Sequence, residues 1–301
     1  MLWGGGSPAQ AQTVSDYLDG FRHAVAEGRT THTLDIDNDS LLLTRRDGYY
    51  SSGLRYTQEH ELQEGGKATR YGWRLGQELY TASDIKLQPE QIDANDHPYA
   101  GWLYAGVYKQ TVLPDGAAWK WGVDLGCLGP CAGGEWTQKT LHRILQQPLP
   151  QGWAKQVKNE WGMMLHAEHS LAPWRWSERV SLTPVLNGRF GNIFTDAASS
   201  LVLRIGQLQP AVGASSWQGF ARLEGRVVAY NATLQGGYFS SNNPHTVSPE
   251  RLVGEAEAGV VWQFPPYAVR VSVIRRSNEI RGLPNSQGSQ NIGSLRLSYS
   301  P

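Results

Sequence analysis

What this 301-residue chain has little of narrows its class. It holds two cysteines, Cys127 and Cys131. That is too few for a structural zinc site, and they lack the Cys-x-x-Cys spacing of a redox pair. In an exported protein they would close a small disulfide loop; otherwise they are free thiols in a turn. Charge of one sign is missing as well. The 27 basic and 27 acidic side chains cancel, so no bulk charge draws the chain to nucleic acid. No run of about 18 apolar residues occurs, which excludes a transmembrane helix. It does not exclude a transmembrane barrel, whose strands alternate and keep mean hydropathy low.

Glycine is abundant at 34 residues, and 12 Trp and 13 Tyr stand against 6 Phe. Tyr and Trp join an apolar ring to a polar tip, which suits the belts at membrane interfaces. Residues 1–30 form a segment of their own. Ala9-Gln10-Ala11 looks like the small-residue end of a secretory signal without its basic and apolar parts, so it reads as a trimmed leader or a plain linker. Val14, Tyr17, Leu18, Phe21 and Val25 recur at helical spacing and predict a short amphipathic helix.

From residue 31 to 301, period-two alternation dominates and predicts one all-β domain of twelve strands. They are Thr33–Asp39, Ser52–Leu62, Tyr71–Tyr80, Gly101–Leu113, Trp119–Cys127, Gly162–Leu171, Arg179–Phe190, Ser199–Gln207, Phe220–Tyr230, Leu252–Gln263, Tyr267–Arg275 and Ile292–Ser300. An even number lets the last strand pair with the first and remove the edges. The connections then sort by parity. Even-to-odd links such as Glu64–Thr69 and Pro265–Pro266 are short. Odd-to-even links such as Thr81–Ala100, Leu128–Trp161 and Asn231–Arg251 are long, with one or two exceptions. Short periplasmic turns and long extracellular loops are the habit of outer-membrane barrels. The expectation is a twelve-stranded antiparallel transmembrane β-barrel with short helices at the extracellular side.

Parity also gathers chemistry at one end. Asn38 and Asp39 precede the first hairpin, Ser51 follows it, Lys86 lies in the loop after strand three, and Gln138 and His142 lie in the loop after strand five. A helix starting near Glu135 would put Gln138 and His142 four positions apart on one face. Carboxylate, amide, hydroxyl and imidazole groups together suit metal-assisted hydrolysis.

Several ordered blocks resemble a known family. They are Asn38-Asp39-Ser40, Gly48-Tyr49-Tyr50-Ser51-Ser52-Gly53-Leu54, Asp96-His97-Pro98-Tyr99-Ala100-Gly101-Trp102 and Gly129-Pro130-Cys131-Ala132-Gly133-Gly134. The tract from Gln138 through His142-Arg143 to Gly152-Trp153 and Lys158-Asn159-Glu160 belongs with them. Together they resemble the outer-membrane lipid A 3'-O-deacylases, over about Thr33 to Glu160. The resemblance implies hydrolysis of the ester holding the 3' acyloxyacyl chain of lipid A, dependence on calcium, and an outer-membrane location with the site facing the extracellular leaflet. It implies lipopolysaccharide and outer-membrane lipids as partners; a monomer is expected. The family's Asn-Asp pair falls on Asn38 and Asp39, its hydroxyl residue on Ser51, its Gln and His on Gln138 and His142. Its lysine falls on Lys86 with a one-residue gap. Serine stands at 51 where threonine is expected, Gln146-Gln147-Pro148 has no acid where some relatives have one, and the cysteines occupy a block where none is expected.

The chemistry implied is coherent. Asp39 and Asn38, with carbonyls and water, would hold Ca2+. Neutral His142 would take a proton from water, oriented by Gln138, while Lys86 holds a phosphate or assists the oxyanion. An ordinary imidazole titrates near about 6.5, so activity should fall on acidification. Each residue also has a plainer reading. Asn-Asp before a hairpin is common turn chemistry, Ser51 bonds a turn, Lys86 is a solvated rim charge, and a lone helical His packs. His97 is expected to shape the entry to strand four; His60, His166 and His169 sit in strand patterns without a catalytic role. The rival is a non-catalytic outer-membrane barrel, either a narrow channel or a lipopolysaccharide-binding protein. A soluble periplasmic sandwich is a third reading.

Overall fold

The computed structural model describes residues 14–42, 48–208 and 213–301. The Ala9-Gln10-Ala11 segment and Asp47 lie outside them. Among the described residues, strands β1 (Arg29–Asn38), β2 (Tyr49–Glu64), β3 (Lys67–Thr81), β4 (Ala100–Val112), β5 (Ala118–Leu128) and β6 (Glu160–Ser170) form the first half of a continuous antiparallel sheet. β8 (Val180–Gly191), β9 (Phe194–Gly206), β10 (Ser216–Asn231), β11 (Leu252–Phe264), β12 (Tyr267–Arg276) and β13 (Gln290–Tyr299) form the second. β1 pairs with β13, as at Leu34 and Leu297, and β6 pairs with β8, as at Leu165 and Phe190. The sheet therefore closes, and each of the twelve expected strands is present in it. One additional short strand, β7 (Trp174–Ser177), extends the turn before β8. Its four residues were too few to register as an alternating run.

The two faces of the wall are separated by alternation. On β5 and β6, Trp121, Leu125, Trp161 and Met163 are exposed while Asp124 and Met164 are buried; Trp161 is 81% exposed. A continuous band of exposed Leu, Val, Trp and Phe around the sheet is what lipid requires and water penalises. The soluble sandwich reading has no use for such a band.

The lumen holds the opposite chemistry. Arg74 donates to Asp124 at 2.6 Å, Arg189 and Arg226 converge on Asp196 at 2.6 and 2.8 Å, and Arg222 reaches Glu224, Glu255 and Glu257. Asp35 joins Arg55 and Arg296 near the β1–β13 seam. These charges face one another because alternate residues of neighbouring strands share a face. Breaking one such pair leaves a buried charge uncompensated. Asp196→Ala should therefore lower the unfolding free energy by about 3 kcal/mol, the low end for a buried pair because Arg226 retains Glu224. Urea unfolding in detergent micelles reads this; an unchanged midpoint would show that the arginines are solvated.

At one end, connections are short: Gly65-Gly66, Pro265-Pro266 with a cis peptide, and the turn through Pro114 to Ala117. At the other end the loops are long, and they carry α2 (Gly134–Ile144), α3 (Ala232–Gln235) and α4 (Asn285–Gly288). The exception is β8–β9, joined there by Asn192 and Ile193. The helix predicted near the N-terminus is α1 (Val14–Glu27). It docks at the short-turn end, where Tyr17 packs edge-on against Tyr71 at 5.5 Å and beside Trp121.

Candidate active site on the outer wall

The long connection after β5 begins with a covalent clasp. Cys127, near the end of β5, is disulfide-bonded to Cys131, with the two Cα atoms 6.0 Å apart. Of the two readings left open by the sequence, the disulfide holds. The chain then turns through Gly133, whose φ of 69° is a left-handed value that favours glycine, and enters α2.

Which side of the wall α2 covers follows from β3 and β4. Glu78 and Tyr80 face the lumen, so Gln77 and Leu79 face outward, as do their partners Leu103 and Gly101. Gln77 Nε2 donates to the Ala132 carbonyl at 2.7 Å. A Cβ at Gly101 would sit 3.1 Å from Ala132 Cβ, and one at Gly134 would sit 2.7 Å from Trp153 and 2.9 Å from Leu79. Small residues thus let the helix lie directly on the bilayer-facing surface. Trp153, Tyr99, Leu79 and Ala82 form an apolar cluster beneath it, with the Tyr99 and Trp153 rings 5.1 Å apart.

The helix turns Gln138 and His142 toward that cluster; they are 3% and 5% exposed. Trp153 Nε1 donates to Gln138 Oε1 at 2.9 Å. An indole N–H only donates, so the amide oxygen is fixed on Trp153 and the amide nitrogen points elsewhere. His142 Nδ1 lies 2.6 Å from the Pro148 carbonyl. A carbonyl only accepts, so the proton sits on Nδ1 and Nε2 is the basic nitrogen. Thus Gln146-Gln147-Pro148, which lacks an acid, supplies a backbone acceptor that orients the ring.

The hairpin residues arrive from the adjacent strands. Asn38 ends β1, and its Oδ1 accepts from the Ser40 amide at 2.7 Å and from the Ser40 hydroxyl. This is the turn chemistry that the plainer reading expected. Asp39 is buried at the start of the next turn, and the Gly48 N–H donates to its Oδ2 at 3.0 Å. Gly48 in turn abuts the end of β3, where an added Cβ would be 2.9 Å from the Ala82 carbonyl. Ser51 is the extra residue of a bulge between Tyr50 and Ser52, and its hydroxyl meets that of Thr81 at 2.5 Å. Contacts therefore run without a break from Asp39 through Gly48 to Ala82, then through the apolar cluster to Gln138 one turn from His142.

Lys86 is exposed. Its backbone N–H bonds Asp84 at 2.9 Å, and its loop is fastened by the Ile85 carbonyl, which accepts from Gln151 at 2.9 Å. The side chain meets no described acceptor, so Lys86 borders the site without being held in it. His97 is buried, with its ring stacked on Tyr80 at 5.5 Å, and it shapes the approach to β4. Two contributors escaped the sequence reading. Thr81 pairs with Ser51 only because of the bulge, and Trp153 carried no role until its indole was seen on Gln138.

Among the described residues no group of three His, Cys, Asp or Glu side chains converges to hold a metal. The described donors at the first hairpin are the Asp39 carboxylate, the Asn38 amide oxygen, which also accepts from Ser40, and nearby carbonyls. That is an all-oxygen set that fits a hard cation such as Ca2+, supplemented by water, and does not fit zinc.

Comparison with known proteins agrees with this architecture. LpxR from Salmonella typhimurium superposes with a TM-score of 0.76 at 20% identity, covering 89% of this chain and 99% of that one. The β domain of the Bordetella autotransporter BrkA gives a TM-score of 0.51 at 13% identity, covering 91% and 98%. At these identities the likeness is one of fold. No curated protein matched the sequence. The family described as outer membrane protein LpxR matches residues 2–300, and the chain therefore belongs to the LpxR family of outer-membrane barrels.

Proposed function

We propose that the chain is a lipid A 3'-O-deacylase: a Ca2+-dependent carboxylic ester hydrolase that removes the 3' acyloxyacyl chain from lipopolysaccharide. The observation that carries this reading is the side of the wall on which Gln138 and His142 sit. They lie under a helix on the bilayer-facing surface, at the long-loop end, and not in the lumen. A lipid ester reaches such a site by lateral movement within the leaflet, and a soluble substrate does not. In this reading the long-loop end faces the extracellular leaflet, and the chain acts as a monomer.

The residues divide the reaction as follows. His142 Nε2 takes a proton from a water molecule as that water attacks the ester carbonyl, and the Pro148 carbonyl on Nδ1–H stabilises the imidazolium that forms. The same proton then passes to the departing 3' sugar oxygen, giving a free acid and a hydroxyl. Gln138, locked by Trp153, presents its amide nitrogen to water or ester. Ser51, paired with Thr81, offers a hydroxyl beside the same surface. Asp39 and Asn38 would hold Ca2+, which when bound supplies positive charge against the carbonyl oxygen. Lys86, exposed on a fastened loop, would meet a phosphate or the developing oxyanion.

A channel has weaker support, because arginine–carboxylate pairs crowd the lumen. Mass spectrometry of lipid A incubated with detergent-folded protein tests the proposal. The expected result is Ca2+-dependent loss of the 3' acyloxyacyl group. An unchanged mass from folded protein would refute it and favour a binding barrel.

A further inference from the structure

Every inward arginine named above has a carboxylate partner; Arg275, on the outward face, has none among the described residues. Arg276 pairs with Glu255 and Glu279, whereas its neighbour Arg275 donates to Asn291 Oδ1 at 2.9 Å and Ser289 Oγ at 2.5 Å, both neutral. Arg275 and Asn291 are opposite one another on β12 and β13. The preceding pair, Ile274 and Ile292, belongs to the interior cluster, so alternation turns Arg275 outward. Its charge is therefore presented at the long-loop rim of the bilayer-facing wall, with no described carboxylate bonded to it.

Arg275 also joins two cavities. One, of about 690 Å³, is polar and is lined by Asp39, Tyr49, Ser83, Ser289 and Asn291 together with Arg275. The other, of about 700 Å³, runs down the same wall past Leu201, Leu223 and Ala256, and Arg275 and Ser289 close its end. A cation where a polar cavity meets an apolar one matches an amphiphile with an anionic head and a hydrocarbon tail. The free N–H groups of a guanidinium, with a hydroxyl and an amide alongside, suit the oxygens of a phosphate.

We propose that Arg275, with Ser289 and Asn291, is a subsite for a phosphate of the membrane glycolipid on which the enzyme acts. This rests on the lipid A reading above and extends it to a strand that the sequence blocks did not reach. Asp39 lines the same polar cavity and opposes an anion unless a bound cation offsets it, so the subsite works with Ca2+ present.

The test is native mass spectrometry of the full chain in detergent with Ca2+, in a His142→Ala background that prevents turnover. The ligands are bisphosphorylated lipid A, the same lipid with its phosphates removed, and inorganic phosphate. Arg275→Gln should weaken binding of the phosphorylated lipid about tenfold, the loss of one charge-assisted contact, with Arg275→Lys recovering part of it. The dephosphorylated lipid should bind alike with or without Arg275→Gln. Equal loss for both lipids, or no loss for either, would overturn the subsite. Inorganic phosphate binding as tightly as the lipid would overturn the glycolipid as its source. Turnover by protein retaining His142 is scored separately. Absent turnover with intact phosphate-dependent binding would sink the deacylase reading and leave Arg275's role standing.

Discussion

His142→Ala should reduce release of the 3' acyloxyacyl chain about 10²–10⁴-fold, the usual contribution of a positioned general base. The ring is held by its Nδ1–H on the Pro148 carbonyl, so the nitrogen that matters is Nε2. Of the other histidines, His97 is stacked on Tyr80, and His166 lies inside the barrel beside Asp124. His142→Gln keeps volume and polarity but cannot carry the proton away, so it should be as inactive as the alanine variant. The protein must stay folded for the result to count, and gel mobility before and after heating checks this. A folded His142→Gln variant that still releases the chain at the original rate would remove the imidazole from the mechanism.

Asp39→Asn should give the second large effect. The substitution preserves shape and an acceptor for the Gly48 N–H, so the hairpin should persist, while the carboxylate that the proposed cation site draws from the described residues is lost. Affinity for Ca2+ tracks the charge of its ligands. The Ca2+ concentration giving half-maximal activity should rise about tenfold or more, and at limiting Ca2+ activity should approach that measured in EDTA. Calorimetric titration reads the same change without turnover. An Asp39→Asn chain with an unaltered Ca2+ titration would move the cation site away from the first hairpin.

The fold was legible because a barrel wall writes itself into sequence twice. Alternation marked each of the twelve strands, and loop length sorted by parity marked the two ends. Where alternation is short or interrupted the sequence was silent. β7 has four residues, and β9 begins at Phe194, five positions before the alternating run that announced it. The bulge at Ser51 was hidden as well, since one extra residue leaves the local composition unchanged.

For the site, the sequence determined which residues carry reactive groups and that the Gln138–His142 spacing puts both on one helical face. It also determined that they share an end of the barrel with Asn38, Asp39 and Lys86. Only the tertiary structure decided that α2 lies on the outside of the wall. That depends on glycines at 101 and 134 meeting across the interface and on Trp153 entering beneath the helix, contacts between segments far apart in the chain. It decided as well which nitrogen of His142 is basic, through the carbonyl of Pro148, and that Arg275 bonds neutral partners, Asn291 and Ser289, while Arg276 beside it is neutralised. Periodicity records the face on which a residue sits; what it meets there is fixed only when the sheet closes and the loops fold back.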